Sequence, residues 1–142
     1  MQKALLVLIF QGVLVQSLSL FGGGVQRIRA YGRLKCGEAA AAGVKVMLID
    51  IDTGGFDDVM TENKTNSNGE FWLDGQTSEM TSIDPVVKIY HNCDDEKTLG
   101  TRRLKIGIPK KYIGKSSSIP KLADLGVINL EMIVYEEERN IF

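Results

Sequence analysis

The stretch TNSNGEFWLDG, residues 65–75, joins a turn signal to a short apolar strand. Asn and Gly favour a tight turn, and Gly75 ends the apolar run. Because side chains alternate between the two faces of a strand, Phe71 and Leu73 share one face and Trp72 lies on the other. In a two-layer sandwich, Phe71 and Leu73 would face the core. Trp72, the only tryptophan of the chain, is then either an exposed protein contact or covered by a loop or a long cationic side chain.

Strand-like runs recur along the rest of the chain, separated by turn residues. No ten-residue stretch after the N-terminal region shows a helical period, and residues 38–42, bracketed by glycines, are expected to form a loop. Short strands with β-branched residues and Gly or Asn turns favour an all-β sandwich over a parallel α/β sheet. The predicted strands are residues 27–36, 44–52, 56–65, 70–74, 85–93, 102–108 and 126–137.

Residues 1–19 have the composition of a secretory signal peptide. Lys3 precedes about a dozen mostly apolar residues, and small residues follow up to Ser19. We expect cleavage after Ser19, although the sequence also allows cleavage at later positions up to about residue 24. The alternative is that this region forms a buried first helix. The apolar run is shorter than the roughly 20 residues of a transmembrane helix. Residues 25–142 are therefore expected to form one secreted, extracellular domain without a transmembrane segment.

The chain contains two cysteines and one histidine, which limits its chemistry. In an oxidising compartment Cys36 and Cys93 suggest one disulfide, and chain entropy predicts roughly 4 kcal/mol for a loop of about 58 residues. Two buried free thiols are the alternative. His91 has no second histidine to join it in a zinc site or catalytic pair, and a lone histidine on an apolar face is usually structural. The acidic residues near 50–58 and 94–96 lack EF-hand spacing, so no metal, cofactor or catalytic site is predicted.

The charges are distributed unevenly, although the formal net charge is only -1. One long segment holds eight basic residues and no acidic one: Lys97, Arg102, Arg103, Lys105, Lys110, Lys111, Lys115 and Lys121. A basic residue near an anionic membrane gains about 1 kcal/mol. The same cluster could bind a sulfated polysaccharide or an acidic receptor, and the alternative is a solvated face paired with the glutamates at 136–138.

A glycosylation sequon occurs at Asn63, followed by Lys64 and Thr65. It lies just before a predicted turn, where an oligosaccharide could be accommodated. The motif is short and often unused. In a secreted chain Asn63 is nevertheless a candidate glycosylation site.

Four motifs follow one another along the chain: G-x-L-x-C at residues 32–36, T-x-x-x-G-x-F at 65–71, Y-H-x-C at 90–93 and I-P-x-x-Y at 108–112. Their identity and order resemble the nematode transthyretin-like family over about residues 27–132. The resemblance implies a transthyretin-like (prealbumin-like) β-sandwich of about seven strands in two sheets. It also implies secretion and a disulfide between Cys36 and Cys93.

The resemblance says little about activity, and it is the single histidine that favours a non-enzymatic binding protein over an enzyme. Some family members are linked to bridging phosphatidylserine on dying cells to an engulfment receptor, which implies an anionic phospholipid surface or a cell-surface receptor as partner, and no nucleic acid. The hydroxyisourate hydrolases of the wider fold have several histidines and a Tyr-Arg-Gly-Ser C-terminus, both of which this chain lacks. A carrier of a small apolar ligand is the second hypothesis, and a hydrolase is the least favoured.

The candidate binding residues come from the basic segment and the outer sheet face. Pro109 interrupts regular pairing, so Lys110 and Lys111 are expected on a loop, where Tyr112 could add an apolar contact. Trp72 is the candidate protein contact. The predicted phospholipid contacts are Arg102, Arg103, Lys105, Lys110 and Lys111.

Overall fold

The computed structural model describes residues 24–115 and 117–141, and the expected signal peptide lies outside them. Among these residues, no helix is long and apolar enough to cross a membrane. The all-β prediction is confirmed, with ten strands in place of about seven. The strands are β1 Gly24–Cys36, β2 Ala39–Ala40, β3 Lys45–Asp50, β4 Asp58–Lys64, β5 Glu70–Glu79, β6 Pro85–His91, β7 Thr101–Gly107, β8 Gly114–Lys115, β9 Leu122–Asn129 and β10 Glu138–Asn140, with a 3₁₀ turn at Lys110–Tyr112.

Two five-stranded sheets form the sandwich. In the first sheet, β1 pairs antiparallel with β2, β5 and β8, and parallel with β9. The second sheet has the order β10-β7-β6-β3-β4, and all of its pairs are antiparallel. The long β1 is therefore the strand on which the whole first sheet is assembled.

One face of each sheet contributes to a single hydrophobic core. Phe71 and Leu73 of β5 are buried in it, as the alternation in residues 65–75 predicts. Burying an apolar side chain of this size contributes about 1.5–3 kcal/mol relative to leaving it exposed, so the shared core holds the sheets together. Its other members include Ile28, Ala30 and Leu34 of β1, Val46 and Leu48 of β3, and Val87 and Ile89 of β6.

The turn before β5 is built by the side chain of Asn66. Its Oδ1 accepts hydrogen bonds from the backbone N–H groups of Asn68 and Glu70, at 3.0 and 2.9 Å. Gly69 has a φ of 77°, and a Cβ there would collide with the carbonyl oxygen of Leu34. Only glycine fits this position without strain, which fixes where β5 begins.

The predicted last strand, residues 126–137, is wrong in its bounds. β9 runs from Leu122 to Asn129, and residues 130–137 form turns. Apolar residues alternate through this stretch, but the carbonyl oxygens of Leu130 and Met132 accept hydrogen bonds from Arg102 instead of pairing with a strand. The expected loop at 38–42 contains the two residues of β2, which pair with the end of β1.

Candidate functional site

A disulfide connects the two sheets at one end of the sandwich. It joins Cys36, the last residue of β1, to Cys93, which follows β6. The two Cα atoms are 5.7 Å apart, an ordinary separation for a disulfide. Both cysteines of the sequence are used, so the chain offers no thiol nucleophile.

His91 lies beside this disulfide and is buried. Its Nδ1 accepts a hydrogen bond from the backbone N–H of Cys93 at 3.1 Å. Burial lowers the pKa of His91, and the nearby charge of Arg102 lowers it further. The imidazole is thus kept neutral and is engaged with the backbone, as expected of a structural histidine.

The prediction that Arg102 contacts phospholipid is wrong, because the side chain is buried. Arg102 is 7% exposed and forms a bidentate pair with the carboxylate of Glu137. Its guanidinium also donates to the carbonyl oxygens of Cys93, Leu130 and Met132, at 2.9 to 3.0 Å. Each of these acceptors is distant in sequence from Arg102 or lies in irregular structure, so no local pattern predicts the burial.

Two further predicted lipid contacts share one glutamate as their ion-pair partner. Arg103 and Lys105 lie on the outer face of β7, and both form ion pairs with Glu138 of β10. For these residues the structure agrees with the solvated, glutamate-paired face. Lys110 is also paired, with Asp84, at 3.2 Å.

Four of the exposed basic residues follow one another closely in the chain and form a lysine segment, which we define as residues 109–121. Lys110, Lys111, Lys115 and Lys121 are all exposed. Within the described residues, no carboxylate pairs with Lys111, Lys115 or Lys121. The ammonium group of Lys111 lies 5.3 Å from the ring centroid of Tyr112. The expected placement of Lys110 and Lys111 outside a strand is correct, since they occupy the 3₁₀ turn.

Trp72 lies on the outer face of the first sheet and is 51% exposed. Its ring packs beside Tyr31 of β1, with 5.1 Å between the ring centroids. Arg27 and Asp74 form a bidentate ion pair on the same face, at 2.6 and 2.7 Å. This face therefore presents an aromatic pair among charged groups, and its use as a protein contact stays a prediction.

Asn63 is exposed on the edge strand β4. Its Nδ2 donates a hydrogen bond to the carbonyl oxygen of Trp72 at 3.0 Å. The hydroxyl of Thr65, the third residue of the sequon, is buried and donates to the carbonyl oxygen of Ala41. An amide carrying a glycan keeps one N–H, so the contact to Trp72 is compatible with glycosylation, which stays a prediction.

Three carboxylates, Asp50, Asp52 and Glu79, come together where sequence reasoning expected solvated loops. Their closest ligand atoms lie within 4.8 Å of one another. Burial raises the pKa of Asp50, and the charge of Asp52 raises the pKa of Glu79. Glu79 is remote in sequence from the other two, so spacing alone could not reveal the cluster. That the chain binds no metal stays a prediction.

Within residues 24–115 and 117–141, the surface hollows that could hold a small ligand are open and not enclosed. One of about 480 Å³ is open and is lined by Lys45, Lys64, Tyr90 and Ile141 among others. The space between the sheets is filled by the core side chains. A small apolar ligand would need an enclosed apolar cavity instead.

Comparison with known proteins agrees with the fold. The sequence model of the transthyretin-like family matches residues 31–109 of this chain. Transthyretin-like protein 46 of Caenorhabditis elegans is 47% identical over 118 residues, which cover 82% of this chain and 66% of that protein. Transthyretin-like protein 2 of the same organism is 41% identical over 133 residues, covering 89% of this chain and 88% of that protein.

Transthyretin-like protein 33 of Caenorhabditis elegans is 39% identical over 110 residues, covering 77% of each chain. A solved structure, a 9R-lipoxygenase from Cyanothece PCC8801, matches 73% of this chain and 16% of its own, with 17% identity and a TM-score of 0.43. That likeness is too weak to support an inference. The family match and the relatives show that this chain belongs to the transthyretin-like family.

Proposed function

We propose that this protein is a secreted, non-enzymatic adaptor whose lysine segment binds an anionic phospholipid surface, such as one that displays phosphatidylserine. The supporting observation is that four exposed lysines occur in this segment without an acidic residue. Each of Lys111, Lys115 and Lys121 contributes about 1 kcal/mol near an anionic leaflet, whereas Lys110 is paired with Asp84. The exposed Ile119 and the half-buried Tyr112 add apolar contacts that salt does not screen.

A bridging protein needs a second surface for its receptor. The outer face of the first sheet supplies one, since tryptophan, tyrosine and arginine are the residues that dominate protein interfaces. Trp72 and Tyr31 pack together on it, and Arg29 and Arg33 flank Tyr31 on β1. An engulfment receptor contacting this face, while the lysine segment contacts a dying cell, would complete the bridge.

Vesicle co-sedimentation tests the lipid contact. We expect binding to phosphatidylcholine vesicles containing phosphatidylserine, weak binding to pure phosphatidylcholine, and weaker binding at physiological than at low ionic strength, because the Debye length falls to about 8 Å. Lys111→Glu with Lys121→Glu removes two contacts worth about 2 kcal/mol together, a loss of roughly thirtyfold in affinity or more.

The matched control is Lys64→Glu with Lys97→Glu, which makes the same change in net charge at two exposed lysines outside the segment. We expect this variant to bind nearly as well as the wild type. Equal losses in the two variants would show that net charge, and not the lysine segment, governs binding. Failure of the wild type to bind phosphatidylserine vesicles at low salt would refute the proposal.

A further inference from the structure

Tyr135 is the most exposed of the four tyrosines of the chain. Its side chain is 107% exposed, and it lies in the loop between β9 and β10. Residues 131–136 of this loop are all exposed, and residues 130–137 contain no strand. An exposed side chain in irregular structure can enter the cleft of an enzyme without any opening of the sheets. The phenol of Tyr135 is therefore accessible to a modifying enzyme in the folded protein.

The backbone around Tyr135 is held in place at both ends of the loop. The guanidinium of Arg102 donates to the carbonyl oxygens of Leu130 and Met132 before Tyr135. After it, the backbone N–H of Glu137 donates to the carbonyl oxygen of Val134 at 2.9 Å. The loop therefore presents Tyr135 in solvent without being a flexible tail.

Two glutamates on either side of Tyr135 are available to an outside partner. Glu131 and Glu136 are exposed, and no cation pairs with either among the residues that the structure describes. Glu137, in contrast, is committed to Arg102. Tyr135 is thus an exposed phenol in a locally anionic loop.

The other three tyrosines lack both features. Each is half-buried and lies on a strand or in the 3₁₀ turn: Tyr31, Tyr90 and Tyr112. The ammonium group of Lys45 lies 5.1 Å from the ring centroid of Tyr90, and that of Lys111 lies 5.3 Å from that of Tyr112. An enzyme that needs an exposed, anionic segment would therefore select Tyr135, and the other three serve as internal controls.

We propose that Tyr135 is a site of O-sulfation, modified in the secretory pathway by a sulfotransferase whose donor is a nucleotide with a phosphosulfate anhydride. The phenolic oxygen attacks the sulfur and forms an O–S bond, while the bond between the sulfur and the bridging oxygen breaks. That oxygen leaves with the electron pair as part of the nucleotide phosphate, and the phenolic proton passes to a base of the enzyme. The transfer involves no oxidation or reduction.

Electrostatics favours this modification over phosphorylation. An active site that binds a multiply anionic donor nucleotide is cationic, so acidic side chains beside Tyr135 assist the encounter. A sulfate ester carries one negative charge, whereas a phosphate ester carries about −1.5 to −2 at pH 7. Repulsion from Glu131 and Glu136 therefore opposes a phosphate more strongly. This inference rests on the secretion included in the proposed function, but not on lipid binding.

Mass spectrometry of the protein secreted by sulfotransferase-containing cells tests the inference. We expect a sulfonate group on Tyr135, none on the other tyrosines, and resistance of the mark to phosphatase. Tyr135→Phe should lose the mark and stay folded, because the side chain has no buried contacts to lose. A second secreted protein that is sulfated in the same cells shows that the donor is supplied. An unmodified Tyr135, a phosphate on Tyr135, or sulfation confined to another tyrosine overturns the inference.

A reconstituted reaction tests the role of the acidic neighbours. The mature, disulfide-bonded protein is incubated with a tyrosine sulfotransferase and a labelled donor. Glu136→Gln should lower kcat/KM by about tenfold, as expected for the loss of one charge-assisted hydrogen bond. The control Glu62→Gln makes the same charge change at an exposed glutamate of β4 and should leave kcat/KM unchanged. Equal losses in the two variants would overturn the inference.

The outcome is separable from that of the proposed function. If the secreted protein carries an unmodified Tyr135 yet binds phosphatidylserine vesicles, this inference fails while the proposed function stands. If Tyr135 is sulfated but the protein does not bind the vesicles, the proposed lipid contact fails while this inference stands.

Discussion

Replacing Arg102 with methionine should destabilise the protein more than any change at an exposed cation. Methionine retains much of the side-chain volume but cannot donate hydrogen bonds. The guanidinium makes five of them, two to Glu137 and three to backbone carbonyl oxygens. Removing it leaves the Glu137 carboxylate, whose side chain is only 12% exposed, without its partner.

The expected loss follows from this environment. Removing one partner of a buried ion pair costs about 3–5 kcal/mol, because the remaining charge is uncompensated. The carbonyl oxygen of Met132 belongs to the exposed loop between β9 and β10, so water can replace the hydrogen bond that it loses. We therefore expect the free energy of unfolding to fall by about 3–4 kcal/mol. That is a large part of the roughly 5–15 kcal/mol that stabilises a typical domain.

Equilibrium unfolding in urea at neutral pH, with the disulfide intact, measures this loss by circular dichroism. The double variant Arg102→Met with Glu137→Gln should be less destabilised than the sum of the single variants, by about 1–3 kcal/mol, because it leaves no stranded carboxylate. Lys105→Met is the control, since its ion pair with Glu138 is exposed and is worth about 0–1 kcal/mol.

Two results would refute this reasoning. A loss below about 1 kcal/mol for Arg102→Met would mean that the pair behaves like a surface salt bridge. Additive losses in the double variant would mean that Arg102 and Glu137 do not stabilise each other.

Peptide mapping without reduction should find Cys36 joined to Cys93, and two alkylatable thiols in native protein would contradict this. Reduction of the disulfide should lower the free energy of unfolding by roughly 4 kcal/mol. Because burial lowers the pKa of His91, its contribution to stability is complete above about pH 6.5 and is lost as the pH falls toward the folded-state pKa. The unfolding midpoint should therefore drop as the pH falls below about 6.5, and less so in His91→Gln. An equal drop in the variant would show that His91 is not the titrating group. N-terminal sequencing of exported protein should begin between Leu20 and Gln26, and an intact Met1 would exclude cleavage.

The turn and strand at residues 65–75 could be predicted because every determinant is local. Asn66 and Gly69 build the turn, and the alternation of Phe71, Trp72 and Leu73 sets the faces of β5. The same holds for the other long strands except β9, whose bounds were predicted wrongly. The additional strands β2, β8 and β10 have two or three residues each, which is too short for a hydrophobic period. They exist because β1 or β7 offers a partner.

The candidate site was harder to predict because it depends on partners that are distant in sequence. Eight basic residues in one segment were evident from the sequence, but their exposure was not. Arg102 is buried by Glu137 and by carbonyl groups of two other segments. Glu138 is the shared ion-pair partner of Arg103 and Lys105. Lys115 and Lys121 remain accessible. The sequence alone does not show which of the basic residues form ion pairs and which do not.

The central position of β1 makes the first sheet depend on a strand that is synthesised late. Arg29 of β1 pairs with Asp74 of β5 on one edge and with Leu122 of β9 on the other. The second sheet can form between strands that are nearer in the chain, but one edge of β1 stays unpaired until β9 has left the ribosome. Unpaired edges recruit strands of other chains, and long-range pairing is slow. A chain truncated before Leu122 should therefore aggregate through its first strand, even though that strand is intact.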